Sequence, residues 1–300
     1  MLLERLGKEL LYFDGGMGTL LQSKGLQPGE LPEVWNLEHA KEIIDIHKAY
    51  FEAGSDIVLS NTFGANAIKF HDSKYGLKEI VTAGIQNAKK AAERGVHDGR
   101  KTYVALDVGP TGKLLKPMGD LSFEDAYDAF KETMIYGEQA GADLINDIWG
   151  LKYDARMAEV IAKYHAACCL MHNREKAEYE EFQKDFIEDM KECVRLAKEA
   201  GIADEKIILD PGVGFGKTYE MNLEIIAHLE ILQELGYPVL LGTSRKSVIG
   251  LTLDLPVDQR EEGTMVTTVY GVQKGSAFVR VHDVEKNLRA IKMTKALMRM

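Results

Sequence analysis

The chain has 300 residues, 45% of them apolar and 28% charged, enough to bury one large core or two smaller ones, and composition alone does not choose between them. A formal net charge of -10 argues against a general affinity for nucleic acid or anionic membrane, so any anion has to be met by a local group of cations. No apolar run is long enough for a membrane helix, and Glu4, Arg5, Lys8 and Glu9 stand where a signal peptide is apolar, so a cytoplasmic protein with neither nucleic acid nor membrane as partner is expected.

Short β-rich runs recur along the chain: LLYFDGG (10–16), DIVLSNTF (56–63), TYVALDVG (102–109), ADLINDI (142–148), ACCLMHN (167–173), KIILDPG (206–212), PVLLGTS (238–244) and AFVRVHD (277–283). Between them lie segments with apolar residues at helical spacing, among them 38–54, 123–141 and 219–236, and several close on glycine as helix C-termini do. Eight strand-then-helix units with near-continuously apolar strands predict an α/β fold, a single (βα)8 TIM barrel over residues 1–300, rather than an open doubly wound sheet. Cys168 and Cys169 are adjacent and so face opposite sides of a strand, and with only three cysteines in the chain a disulfide framework is not expected.

In a barrel of this kind chemistry gathers at the C-terminal strand ends. Read in order, those ends carry Asp14, Asn61, Asp107, Asn146 with Asp147, His172 with Asn173, Asp210, Lys246, and Arg280 with His282. Any one of these could merely cap a helix or finish the sheet, but polar residues at every end together point to a pocket. DPGVGFGKT (210–218) is not a phosphate loop, because Pro211 stands where that pattern needs glycine, and Gly15, Gly16 and Gly18 lack dinucleotide spacing. His39, His47, His71 and His97 lack ligand spacing and read as solvated or satisfied side chains, so neither a metal nor a cofactor is expected. Arg245, Lys246, Arg280 and His282 cluster at strands seven and eight, where barrels often hold phosphate. With Asp210 and Asn146 opposite, the set suits a flat heterocycle with an amino-pyrimidine edge.

From about Asp143 onwards the chain resembles dihydropteroate synthase, through INDIWG (145–150), LMHN (170–173), ILDPGVGFGKT (208–218), LLGTSRKSVIG (240–250) and VRVHDV (279–284). That resemblance implies a pterin pocket in which Asn146, Asp210 and Lys246 hold the ring and Phe215 and Gly242 line it. It further implies that Arg280 and His282 serve the pterin face and the pyrophosphate, and that Asp107 faces the pterin. Roughly the first 140 residues resemble instead the homocysteine S-methyltransferase barrel, the front module of cobalamin-dependent methionine synthase. The matching motifs are DGGMGTLLQ (14–22), PEVWNL (32–37), YFEAGSDIVLSNTFGAN (50–66), VGPTGKLLKPMGDLSFEDAYDAF (108–130) and QAGADLI (139–145).

The methyltransferase resemblance implies zinc held by cysteines at strands six and eight, yet LDPG and RVHD contain none. The synthase resemblance implies loops over the pyrophosphate and the aminobenzoate, yet DGGMGT and SNTFGAN stand in their place. The expectation is therefore an engineered chimera, methyltransferase-like units over 1–143 joined to synthase-like units over 144–300, as a monomer or homodimer. Such a barrel would keep a partial pocket that binds pterin, phosphate or sulfate weakly, without natural turnover, and no catalytic residue is assigned. The alternative is a working pterin transferase of the dihydropteroate synthase type in folate biosynthesis, with homocysteine methylation third.

Overall fold

The structure, a computed structural model, describes residues 5, 9–109, 111–113, 119–152 and 155–300. Glu4 and Lys8, together with Pro110 and residues 114–118 of the 108–130 motif, lie outside the described residues. The strands are β1 (Leu11–Phe13), β2 (Ile57–Leu59), β3 (Tyr103–Val108), β4 (Leu144–Asp147), β5 (Ala167–Met171), β6 (Ile207–Asp210), β7 (Leu240–Leu241) and β8 (Phe278–Arg280). The helices are α1 (Met17–Ser23), α2 (Trp35–Glu38), α3 (Ala40–Ala53), α4 (Leu77–Gly95), α5 (Phe123–Gln139) and α6 (Ala155–Lys163), then α7 (Phe182–Glu199), α8 (Tyr219–Ala227), α9 (Glu230–Gln233), α10 (Ser247–Leu253), α11 (Glu261–Gln273) and α12 (Val284–Met298).

Every β-rich run forms a strand. The sheet order β6-β5-β4-β3-β2-β1-β8-β7 is parallel throughout, and a parallel bridge from Leu209 to Val239 brings β6 to β7 and closes the ring. This is the (βα)8 barrel that the alternation predicts. The helical periods are also found, with α3 ending on Gly54 at φ 112 as a glycine C-terminus should. The 219–236 period is broken at His228 and Leu229 into α8 and α9, with Ile225, Leu229 and Leu232 all fully buried across the break.

Strand alternation sends one set of side chains inward and the other toward the helices. The inward set draws on every strand, including Leu11, Phe13, Ile57, Leu59, Ala105, Leu144, Cys169, Ile208, Leu240 and Phe278. Phe13 and Phe278 meet edge to face across β1 and β8, with ring centroids 5.7 Å apart. Cys168, one residue away from Cys169, belongs to the outer layer with Phe186 and Met190 of α7, so the pair does straddle the sheet. Each fully buried side chain of this size contributes about 1.5–3 kcal/mol.

The β3–β4 ladder runs Ala105↔Leu144, Leu106↔Ile145, Asp107↔Asn146 and Val108↔Asp147 without interruption. The pairing therefore passes straight through the region where the two resemblances meet, with Leu144 fully buried in the inner layer.

Candidate active site

The C-terminal strand ends open on a cavity of about 470 Å³. Asp107, Asn146, Asp210, Phe215, Gly242, Lys246, Arg280 and His282, the eight residues singled out from sequence for the pocket, all line it. Asn61 joins them from the end of β2.

On the β3–β4 side, Asn146 Nδ2 donates to Asp107 Oδ1 at 3.2 Å, which fixes the amide beside the carboxylate. On the β6 side, Asp210 Oδ1 accepts the Gly212 backbone N–H at 2.7 Å. Burial pushes both carboxyls up, and the cations opposite pull them back: Arg280 for Asp107, Lys246 and then Arg280 for Asp210. Lys246 pays the reciprocal cost, since burial lowers its ammonium to about 8 despite Asp210. The pocket thus holds both signs of charge in a poorly solvated space, ready for a ligand with donors on one edge and acceptors on another.

Lys246 begins α10, donates to the Val213 carbonyl and lies 5.0 Å from the centre of the Phe215 ring. Phe215 is carried by the loop between β6 and α8, which is folded around another buried cation. Lys217 Nζ reaches His172 Nδ1 at 2.8 Å, the Phe215 carbonyl at 3.0 Å and the Gly212 carbonyl at 3.1 Å. His172 Nε2 in turn meets Asp189 Oδ2 at 3.0 Å, and Arg174 Nε donates to the same oxygen at 2.6 Å. Burial holds Lys217 near 7 and His172 near 4, while the hydrogen bonds from His172 and Arg174 outweigh burial and hold Asp189 well below the usual carboxylate range. Gly212 has φ +63, and a Cβ there would lie 1.9 Å from the His172 carbonyl oxygen, so this turn accepts only glycine. GKT is thus a loop staple followed by the Thr218 N-cap of α8, in agreement with the rejection of a phosphate loop.

At β7 and β8, the Ser244 hydroxyl accepts the His282 backbone N–H at 3.1 Å and lies 2.9 Å from Nδ1 of the same residue. Burial, then Arg245, Arg280 and Lys246, lower His282 to about 4, so it faces the cavity as a neutral imidazole. Gly242 leaves room beside it, because an added Cβ would meet only Arg280 Cβ at an ordinary 3.7 Å. Arg245 does not line the cavity: its backbone has φ 57, and its Nε points to Glu261 Oε2 at 3.8 Å.

Four other strand-end residues also stay out of the cavity. Asp147 accepts the Trp149 and Leu151 backbone N–H groups at 3.0 and 2.6 Å, Asn173 donates to the Ile148 carbonyl, and His172 serves the Lys217 staple. Asp14, 1% exposed, accepts the Leu59 N–H, and burial lifts its carboxyl to about 8. His47 corrects the reading of it as solvated or satisfied: it is fully buried on α3 with neither ring nitrogen hydrogen-bonded, and burial lowers it to about 4. Sequence reasoning missed Glu33, Met171, Ile148, Phe63 and Ser244 in the cavity wall. All five lie within the motifs quoted above, Ser244 with Lys246 and Ile148 with Asn146, so membership of a shared motif was the signal that could have found them. Among the described residues, no three His, Cys, Asp or Glu side chains gather as a metal site requires, and no helix is long and apolar enough to cross a membrane.

Comparison with known proteins bears on both resemblances. The pterin-binding enzyme family matches residues 126–282, and the homocysteine S-methyltransferase family matches 11–147. The chain is 61% identical over 240 residues to the dihydropteroate synthase of Clostridium beijerinckii, covering 77% of this chain and 88% of that one. It is 51% identical over 219 residues to that of Bacillus subtilis, covering 73% and 75% respectively. Dihydropteroate synthase of Clostridium difficile, solved in the presence of pteroic acid, superposes with a TM-score of 0.67 at 30% identity, covering 98% of this chain and 99% of that chain. Xanthomonas albilineans dihydropteroate synthase with 4-aminobenzoic acid superposes at 0.72 with 21% identity, over 98% and 95% of the two chains, and shares the fold.

These likenesses overturn the expectation of an engineered chimera without turnover. The 240-residue match is longer than the segment from 144 to the C-terminus, so likeness to the synthases runs well upstream of the supposed joint. The error lay in equating the missing synthase-type loops with missing chemistry, although loops are the most replaceable part of a barrel.

Proposed function

The chain belongs to the pterin-binding enzymes and, within them, to the dihydropteroate synthase family, and from that premise we propose that it condenses a dihydropterin pyrophosphate with 4-aminobenzoate, releasing pyrophosphate. The observation that carries this reading is the single cavity in which Asp107, Asn146 and Asp210 face Lys246, Arg280 and His282. Asp210 and Asn146 take the donors and acceptors of the amino-pyrimidine edge, and Lys246 takes the ring carbonyl. Phe215 and Gly242 bound the flat ring. Arg280, with the neutral His282 beside it, takes the pyrophosphate oxygens, whose charge grows as the bond to the methylene carbon breaks.

We further infer that the described barrel works as one unit, since its inner layer draws on all eight strands. Positioning of the two substrates accounts for much of the expected rate gain. The test is turnover of purified protein with the two substrates, read as pyrophosphate release and product formation. Wild type should turn over and Asp210→Asn should lose at least about 10²-fold in kcat/KM, because the amide presents an N–H to the pterin donors. A wild-type protein that binds pterin pyrophosphate without condensing it would refute the reading.

A further inference from the structure

The wall of the cavity contains a carboxylate, within electrostatic reach of Asp107, that the reading above leaves unused. Pro32 and Glu33 open a short 3-10 turn ahead of α2, and both line the cavity. Amides fasten that turn to the end of β2. Asn61 Nδ2 donates to the Pro32 carbonyl at 2.7 Å and to Asn36 Oδ1 at 3.1 Å, while Asn36 Nδ2 donates back to the Asn61 carbonyl at 2.8 Å. From α4, Asn87 Nδ2 donates to the Asn36 carbonyl at 2.8 Å.

Glu33 is 3% exposed, and its Oε1 accepts the Gly64 backbone N–H at 2.5 Å. A Cβ on residue 64 would lie 2.7 Å from that oxygen, so a larger residue there would displace the carboxylate. Its second oxygen, Oε2, is buried with no hydrogen-bond partner. The Gly64 and Glu33 backbone N–H groups and the charge of Lys69 offset part of the cost of burying this carboxylate, and Oε2 remains free to accept a further donor.

Resting on the synthase reading, we propose that Glu33 receives the arylamine: Oε2 accepts an N–H of the amino group and aims the nitrogen lone pair at the methylene carbon of the pterin. As the C–N bond forms, the electron pair of the breaking C–O bond leaves with pyrophosphate, and the amine proton passes to the Glu33 carboxylate and then to solvent. Orientation follows from charge. A benzoate carboxylate is repelled by Glu33, so the ring enters with its amine inward, in a cavity that Pro32 and Phe63 also line. Burial holds the Glu33 carboxyl above its ordinary value, which makes it a better proton acceptor than a surface glutamate.

The test compares wild type with Glu33→Gln and Glu33→Ala by steady-state condensation, calorimetric titration with dihydropterin pyrophosphate, and thermal unfolding. Glu33→Gln should keep the Gly64 contact, the melting temperature and the pterin affinity within about twofold, while kcat falls about tenfold to a hundredfold. Added formate should restore part of the rate to Glu33→Ala. If wild type turns over and Glu33→Gln keeps its kcat, or loses pterin affinity in step with kcat, the assignment of Glu33 is wrong and the synthase reading stands. If wild type itself does not condense the substrates, both are overturned.

Discussion

Replacing Lys217 with methionine tests whether the wall proposed to hold the pterin is kept in place by a cation outside the cavity lining. The ammonium reaches His172 Nδ1 and the carbonyls of Gly212 and Phe215 at 2.8–3.1 Å, and methionine fills a similar volume with no donor. Losing three bonds at about 1 kcal/mol each, with the acceptors left buried, costs on the order of 3–5 kcal/mol. Against this stands relief of an unfavourable burial that already lowers Lys217 to about 7. The net expectation is a loss of about 2 kcal/mol, a fall of roughly 3 °C in Tm for a chain of this length. The loop carries Phe215, whose ring lies 5.0 Å from Lys246 Nζ, so loosening it should act first on pterin binding. KM for the pterin pyrophosphate should rise about tenfold, equivalent to about 1.4 kcal/mol, with a smaller change in kcat. Differential scanning calorimetry and steady-state kinetics read both numbers. A Tm loss of the expected size with KM within twofold of wild type would show that Lys217 stabilises the fold without positioning the pocket.

Lys246 is held down to about 8, so its charge is present below that value and is lost as pH rises through it; pterin affinity measured by calorimetry should decline above pH 8 in wild type and be weaker but flat with pH in Lys246→Ala. His47 has a folded pKa lowered to about 4 from 6.5, so its contribution to stability is present above 6.5 and is lost as pH falls toward 4. His47→Leu removes two orphaned nitrogens at similar volume, and denaturant unfolding should show its advantage over wild type growing by on the order of 2 kcal/mol between pH 7 and pH 4.5. A gap that stays constant with pH would mean the imidazole finds water or a partner in solution.

The strands were legible because each is an apolar run bounded by turn residues, and the pterin-side residues because each stands at the end of such a run. What was not legible depends on contacts between distant segments. Glu33 lies in the connection between α1 and α2, and nothing local says that Asn36, Asn61 and Asn87 will fasten it to the cavity wall. Lys217 sits in a motif whose residues suggest phosphate, and only the folding of the loop onto His172 turns its ammonium inward. Arg245 adjoins Lys246 in sequence, but its φ of 57 sends it toward Glu261, away from the pocket. His47 falls on the buried face of α3, and sequence periodicity places a residue there without showing whether its polar atoms find partners.

The misjudged function has a physical reason of the same kind. Pterin recognition, as proposed, draws on β3 to β8, while the methyltransferase match covers β1 to β4, so Asp107 and Asn146 fall within it and only β1 and β2 lie wholly on the other side of the rim. These two parts of the rim make different demands. The pterin side, as proposed, needs fixed charges of both signs, spaced to match a heterocycle, which leaves little freedom in the residues that can stand there. The opposite side has only to admit a small aromatic amine, align one nitrogen and exclude water, and many loop sequences on the same strands can do that. On the proposed assignment an unfamiliar loop on that side changes which residues meet the second substrate while leaving the pterin wall in place, with Glu33 lining the same cavity as Asp210 and Lys246.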